Sequence, residues 1–245
     1  MEIIDCHWEI QNLHKKTCEI LLNESEDINI ASLRRCEQKF QYIVLKVPVC
    51  KYEINKILTE NQYVLAESQI SLIKKIDSFS LTDKIVRYYT TKLKLQACDN
   101  EEKLNRVLRH VAVGMFDTDR IALNPIFGAE YANQRYKNWI CTESQRDGSF
   151  LFEMEFNSMP VGFCLFRINN GTIDYLLGGL YPEFKGKALG IIVPLAPYVY
   201  SQMFSDKVLQ NVKTKISSNN LEVAKCYMYC GYQIDDIHYV FSKNI

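Results

Sequence analysis

Between residues 150 and 156 the chain reads FLFEMEF: Phe150, Phe152, Met154 and Phe156 share one side of an extended chain, and Glu153 and Glu155 the other. A period of two predicts a strand with one buried face. The apolar pattern runs on to Tyr181 and breaks only at Asn157-Ser158 and Asn169-Asn170-Gly171. Turn residues between apolar runs predict three consecutive antiparallel strands. Elsewhere the period is helical. In KYEINKILTENQ, residues 51–62, Ile54, Ile57 and Leu58 form one stripe. Further on, Asp99 and Glu102 form a candidate capping box ahead of Leu104, Val107, Leu108 and Val111, which share a helix face.

The first 80 residues read as alternating strands and helices: strands in CEILLNE (18–24), YIVLKVP (42–48) and YVLAESQISLIKKI (63–76), with helices in SLRRCEQKF (32–40) and 51–62. The polar stretch DSFSLTD, 77–83, is the expected lobe boundary. After it, KIVRYYTTKLKL (84–95) alternates as a strand, and EYANQRYKNWICTES (130–144) is a second helix after the one opened at Asp99. Residues 187–204 predict a helix carrying Pro194 and Pro197, hence a kink or a short first turn, because an interior proline costs about 3 kcal/mol. A strand in 208–217, a helix from Asn219 or Asn220 stopped by Gly231, and a strand or tight strand pair in 232–243 complete the chain. The expectation is an α/β fold: a mixed, mainly antiparallel central sheet flanked by helices over 84–245, with a smaller amino-terminal α/β lobe over 1–80.

Composition narrows the function. The 245 residues carry 29 Lys plus Arg and 29 Asp plus Glu, a balance that gives no overall attraction to nucleic acid or anionic membrane. No stretch approaches the roughly 20 apolar residues of a membrane span, and acids interrupt the start MEIIDCHWEIQNLHKK, which excludes a secretory signal. The nine cysteines form no CxxC pair and sit far from paired histidines, so no metal site is expected. Their odd number and apolar surroundings suit reduced thiols in a cytoplasmic protein.

The chemistry concentrates at EFKGKALGII, 183–192. A glycine inside a helix costs about 1 kcal/mol relative to alanine, yet Gly186 and Gly190 stand where a strand gives way to a helix. Helix N-termini present unpaired N–H groups and a positive dipole end, and glycine lets an anion approach that backbone. Lys185 and Lys187 add charge, which suits a phosphate; the same residues also suit a plain turn of small residues. The stretch is neither a P-loop, since no GK[ST] follows, nor a Rossmann fingerprint.

Pro182, Lys185, Gly186, Ala188 and Gly190 in GLYPEFKGKALG resemble the pyrophosphate loop of the GNAT (Gcn5-related) N-acetyltransferases, with Lys185 in place of the usual Arg or Gln and Ala188 in place of the central Gly. NNLEVAKCYMYCGY is similar to a later helix of that family, with Asn220 and Tyr227 at the matching places, two helical turns apart. DRIALNPIFGAEYANQRYKNWI, through Arg120, Pro125, Ala132, Arg135, Tyr136 and Trp139, is similar to the group of GNAT enzymes that acetylate dTDP-4-amino-4,6-dideoxygalactose (dTDP-fucosamine).

The resemblance implies acetyl-CoA as co-substrate and attack of a neutral amine on its thioester. It implies CoA contacts from Gly178, Leu180, Lys185, Gly186, Lys187, Ala188, Leu189, Gly190 and Asn220, with Gly178 and Leu180 offering backbone N–H groups to the oxyanion. Tyr227 is implied as the general acid, with Tyr229 its nearest decoy. Arg120, Tyr136 and Trp139 are implied to hold a nucleotide-linked amino sugar, although Tyr136 and Trp139 at helical spacing equally suit core packing. Asp174, Glu155, His238 or an ordered water is the base. The resemblance leaves room for a homodimer. Two alternatives stay open: acetylation of another small amine such as an antibiotic or polyamine, and a non-catalytic acyl-CoA-binding module.

Overall fold

The structure is a computed structural model that describes residues 1–245 except 80–81, 112–113 and 205–207. In chain order its elements are β1 (Glu2–Asp5), α1 (Glu9–Leu13), β2 (Thr17–Leu21), α2 (Ile30–Glu37), β3 (Tyr42–Pro48), α3 (Tyr52–Glu60) and β4 (Val64–Lys75). There follow α4 (Lys84–Lys92), β5 (Leu93–Ala97), α5 (Glu101–His110), α6 (Arg120–Leu123), α7 (Gly128–Ser144), β6 (Ser149–Phe156), β7 (Met159–Asn169) and β8 (Thr172–Leu180). The chain ends with α8 (Ile192–Met203), β9 (Asn211–Ser217), α9 (Leu221–Tyr229) and β10 (Gln233–Asn244). All the strands join one 10-stranded sheet, in the order β1-β2-β3-β10-β4-β9-β8-β7-β6-β5. The neighbours β2/β3 and β8/β9 run parallel and the other pairs antiparallel.

The expected mixed sheet flanked by helices is present. One expected strand is not: residues 84–92 are helical, and only 93–97 continue as a strand. Asp83 decides this locally, its carboxylate accepting the N–H groups of Ile85 (2.7 Å) and Val86 (3.1 Å) as a helix N-cap. Val86 and Tyr89, one turn apart, then pack on the same core. The cap of α5 is Asn100, which accepts from Lys103 N–H, rather than the Asp99–Glu102 box. The helix α8 runs unbroken through Pro197. Pro194 falls in its first turn, where the missing N–H would have had no partner.

Both faces of the β5–β8 half of the sheet are covered. Phe152, Met154 and Phe156 pack with Leu195, Ala196 and Tyr200 of α8, while Leu151, Phe163 and Leu165 pack on the other face with Val107 of α5, Val111 at its C-cap and Ile140 of α7. Burying a phenylalanine as fully as Phe163 or Phe166 stabilises by about 1.5–3 kcal/mol. Because α5 covers that second face, Glu153 is not solvated as its alternation predicts. It is 1% exposed, paired with Arg106 at 2.5 Å, and accepts the Tyr181 hydroxyl at 2.9 Å.

The expected boundary at 77–83 includes Ser80 and Leu81, which lie outside the described residues. The sheet itself runs across the two stretches it would separate. The strand β4 lies between β10 and β9, in register from Gln69↔Ser217 to Lys75↔Asn211 on one side and from Gln233↔Ile73 to Ser242↔Val64 on the other. A chain of residues 84–245 alone would leave β9 and β10 each without the strand between them. We expect such a fragment to give no cooperative thermal transition by circular dichroism, where the full chain gives one.

Candidate active site

The parallel strands β8 and β9 are paired only from Thr172↔Asn211 to Tyr175↔Thr214. Beyond that point they diverge. A bulge at Leu176 sets the divergence: Leu165 opposes Leu177 and Phe166 opposes Tyr175, so Leu176 has no opposite residue on β7. Past the bulge β8 stays paired with β7 and β9 with β4, so a wedge opens between them. Tyr181 N–H bonds the Val161 carbonyl of β7 at 2.9 Å. Antiparallel alternation then gives β7 the N–H groups of Gly179 and Leu177 and turns those of Gly178 and Leu180 towards the wedge.

A cavity of 140 Å³ fills the mouth of this wedge. Its lining includes Gly178 of β8, Thr214 and Lys215 of β9, Val193 of α8, Asn220 and Tyr227 at α9, and Asp119 and Tyr136 from the far side. This is room for the reacting end of a ligand. Asn220 is the N-cap of α9, its side chain accepting from Val223 N–H at 3.3 Å. Tyr227 is 3% exposed, and its ring meets Tyr232 edge-on at 4.8 Å. Burial pushes the Tyr227 phenol above the ordinary tyrosine range, with a hydrogen bond to Thr214 opposing it, so the phenol stays protonated at ordinary pH.

The loop 185–190 lies next to the cavity rather than in its lining. Gly186 has φ of +75° and open space around it, and Ala188 has φ of +57°. Gly190 packs against α9: a Cβ there would lie 3.2 Å from the Cys226 sulfur, one residue before Tyr227. The Tyr89 hydroxyl donates to the Ala188 carbonyl at 2.8 Å and pins the loop to α4. Among the described residues the N–H groups of Gly186, Ala188, Leu189, Gly190 and Ile191 meet no protein acceptor, and α8 begins without a side-chain cap. Such a run of free N–H groups at a helix start is a place for an anion. Lys185 is held back from it, bonding the Gly114 carbonyl at 2.7 Å with Asp117 at 3.7 Å, and the Lys187 ammonium lies 5.0 Å from the centre of the Phe184 ring.

The structure thus gathers Gly178, Asn220, Tyr227 and Tyr136 around one cavity and sets the 185–190 loop beside it. Leu180 lies further out along β8. Tyr136 stacks on Phe116 at 4.0 Å and donates its hydroxyl to Asp119 at 2.9 Å. Trp139 stands behind it, 6.2 Å from the Tyr136 ring, and is not among the residues lining this cavity. Arg120 faces away: it pairs with the buried Glu67 at 3.3 Å and lines a separate cavity of 450 Å³ with Leu123, Ile126 and Asn244. Of the candidate bases, Asp174 accepts Asn169 Nδ2 at 2.7 Å and His238 pairs with Asp236 at 3.2 Å. Residues that the sequence reading missed also line the cavity: Phe116, Asp119, Thr214 and Tyr175. Their signal is a bulge and a loop packing, both of which depend on distant pairings.

No family model matches the chain, and no curated protein does. Solved structures match its fold. A GCN5-related N-acetyltransferase from Sphaerobacter thermophilus superposes with a TM-score of 0.58 at 10% identity, over 83% of this chain and 59% of that one, so this chain spans less than two thirds of that protein. A functionally unknown conserved protein from Staphylococcus epidermidis gives 0.60 at 15% identity over 94% and 84% of the two chains. A tandem GNAT protein from the clavulanic acid biosynthesis pathway gives 0.58 at 10% identity over 93% and 75%. The fold is therefore that of the GCN5-related N-acetyltransferases.

Ala188 holds a backbone conformation that costs an L-residue about 1–2 kcal/mol, while alanine limits the unfolded chain by about 0.4–1 kcal/mol relative to glycine. We expect Ala188→Gly to stabilise the protein by roughly 0.5–1 kcal/mol in denaturant titration, the difference of those two effects.

Proposed function

We propose that the protein is an acetyl-CoA-dependent N-acetyltransferase. One observation carries the reading: the wedge between β8 and β9, where an unpaired Gly178 N–H and the Tyr227 phenol line one small cavity beside a loop of free N–H groups. The fit to acetyl-CoA is one of donor chemistry. The N–H groups of Gly186 and of residues 188–191 suit a diphosphate, and the parted strands offer edge peptide groups to the amide-bearing arm that leads to a thioester.

The residues then take these parts. Gly178 N–H, with Leu180 N–H further along, donates to the thioester oxygen as negative charge develops there. Tyr227, kept neutral by burial, gives its proton to the departing thiolate. An amine arrives from the side of Phe116, Asp119 and Tyr136. Asp119 is committed to Ile121 N–H and the Tyr136 hydroxyl, so it fixes that wall.

For the acceptor we propose a nucleotide-linked amino sugar. The support is the segment around residues 119–139, which bears the resemblance to sugar-acetylating enzymes and contributes Asp119 and Tyr136 to the cavity, and Lys215, an exposed cation at its rim suited to a phosphate. Arg120 spends its charge on Glu67, so Lys215 is the better candidate for that contact.

A thiol-release assay with acetyl-CoA against nucleotide-amino sugars, polyamines and aminoglycosides tests this. Release with the sugars alone is expected; release with another amine alone corrects the acceptor; CoA binding without release from any amine leaves a binding module. Tyr227→Phe is expected to lower kcat by roughly 10²-fold, the scale of a lost general acid, with CoA affinity by calorimetry changed less than twofold. An unchanged kcat would remove Tyr227 from that role.

A further inference from the structure

The mechanism above leaves unused a group on the wall of the same cavity. Tyr175 is the last residue of β8 paired with β9, immediately before the bulge. Its side chain is 3% exposed, and its hydroxyl is buried without a hydrogen-bond partner. It lines the cavity that Tyr227 lines. The ring is fixed edge-on against Phe166 at 4.9 Å and extends along the strand over Gly178. A Cβ on residue 178 would sit 2.1 Å from the Tyr175 hydroxyl oxygen and 2.8 Å from its ring carbons. Gly178 is thus a cradle for this phenol as well as the source of a free N–H.

The neighbouring bonds separate the two tyrosines. Thr214 donates its single hydroxyl proton to the Tyr175 carbonyl at 2.9 Å. The Tyr227 phenol lies beside the Thr214 hydroxyl, and that contact opposes the rise that burial gives its pKa. The Tyr175 hydroxyl is among the buried side-chain atoms without a hydrogen-bond partner, and the Tyr227 hydroxyl is not. A phenylalanine would fill the same ring space, while a buried hydroxyl without a partner weakens the fold. The hydroxyl is accounted for if a ligand accepts its bond. Tyr200 is the other buried tyrosine hydroxyl without a partner among the described residues, and it lines neither cavity.

We propose that the Tyr175 hydroxyl is a second catalytic donor, which hydrogen-bonds the carbonyl oxygen of the bound acyl thioester alongside Gly178 N–H. This rests on the acetyltransferase reading and adds a residue to it. As the amine nitrogen bonds the acyl carbon, the carbonyl π pair moves onto the oxygen, where Tyr175 and Gly178 N–H hold it. The pair returns as the C–S bond breaks; the sulfur takes the proton of Tyr227 and leaves as the CoA thiol, and the proton the nitrogen sheds on becoming an amide passes through solvent to restore the phenol. Tyr175 keeps its own proton throughout. Burial holds its pKa well above the ordinary value, which suits a donor that never ionises.

The test compares wild type, Tyr175→Phe and Tyr200→Phe in the full chain, by melting temperature, by calorimetry with CoA and with acetyl-CoA, and by turnover. For Tyr175→Phe we expect an equal or higher melting temperature, CoA affinity within twofold of wild type, acetyl-CoA affinity weakened severalfold, and kcat lowered at least tenfold. Tyr200→Phe is expected to gain stability with turnover unchanged. Wild-type turnover and wild-type acetyl-CoA affinity in Tyr175→Phe would overturn the proposal, and so would a fall in its melting temperature, which marks a structural hydroxyl. A wild-type protein that binds neither CoA nor acetyl-CoA would overturn the acetyltransferase reading itself, and this outcome is visible before any variant is made.

Discussion

Two parallel strands that begin paired and then part are what the rest of this molecule is arranged around. A strand edge inside a protein leaves peptide groups without partners, and each such group costs free energy when water is excluded. Here β8 and β9 can separate after Tyr175 and Thr214 because each keeps a full partner on its outer side, β7 for one and β4 for the other. The inner edges alone are left open. The bulge at Leu176 turns the edge of β8, and Gly178 removes the side chain that would otherwise meet the Tyr175 ring. The cavity is therefore a product of the sheet's hydrogen-bond accounting.

The same arrangement suits phenols. The wedge lies against the main core, in which Tyr175, Tyr227 and Tyr232 pack with Ile192, Val193 and Val212. A carboxylate there would carry a heavy desolvation penalty, whereas a phenol is neutral and gains as a donor from the low dielectric. Burial raises the pKa of all three tyrosines, so protonation of the site holds across ordinary pH. The charged groups stand to the side: Asp119 on the far wall, accepting from Ile121 N–H and the Tyr136 hydroxyl, Lys215 on β9, and Lys185 at the start of the loop, anchored to Gly114 and Asp117. Charge is placed where it is solvated or hydrogen-bonded, and the neutral phenols where burial is deepest.

The legible parts of the sequence were those whose signal is local. The loop at 185–190 stands out through glycines beside lysines, whereas Tyr227 is reached only through the family resemblance of NNLEVAKCYMYCGY. The hairpins at 157–158 and 170–171 were readable because Asn157, Ser158 and Asn170 adopt positive φ, as such turns require. Residues 84–92 read as a strand only because the alternation of Lys92-Leu93-Lys94-Leu95 was extended back over them; Ile85, Val86, Tyr88 and Tyr89 have no period of two, and the Asp83 cap starts a helix there. Glu153 was placed outside because its coverage by α5 is a tertiary fact. Tyr175 carried no signal at all: its relation to Gly178 exists only because of a bulge defined against β7.

The strand exchange argues why there is one such wedge and not two. The run β2-α2-β3-α3-β4 and the run β8-α8-β9-α9-β10 have the same order, a parallel pair followed by a strand set one place away. Each run's last strand lies inside the other's gap, so β4 and β10 pair at the centre and the halves are related by an approximate two-fold. Yet β2 and β3 stay paired to the end, from Thr17↔Tyr42 to Leu21↔Lys46, and Leu22 N–H adds a bond to the Lys46 carbonyl at 3.0 Å. No bulge parts them. The segment before α2 has no glycine and carries Glu24, Glu26 and Asp27, and α2 begins with its N-terminus capped by Asn29 at 3.0 Å. Acidic side chains and an occupied cap are the reverse of what a phosphate needs. The same topology therefore appears once closed and acidic, serving as scaffold, and once open and glycine-bearing. The difference between them is a single extra residue in one strand and the chemistry of one short loop.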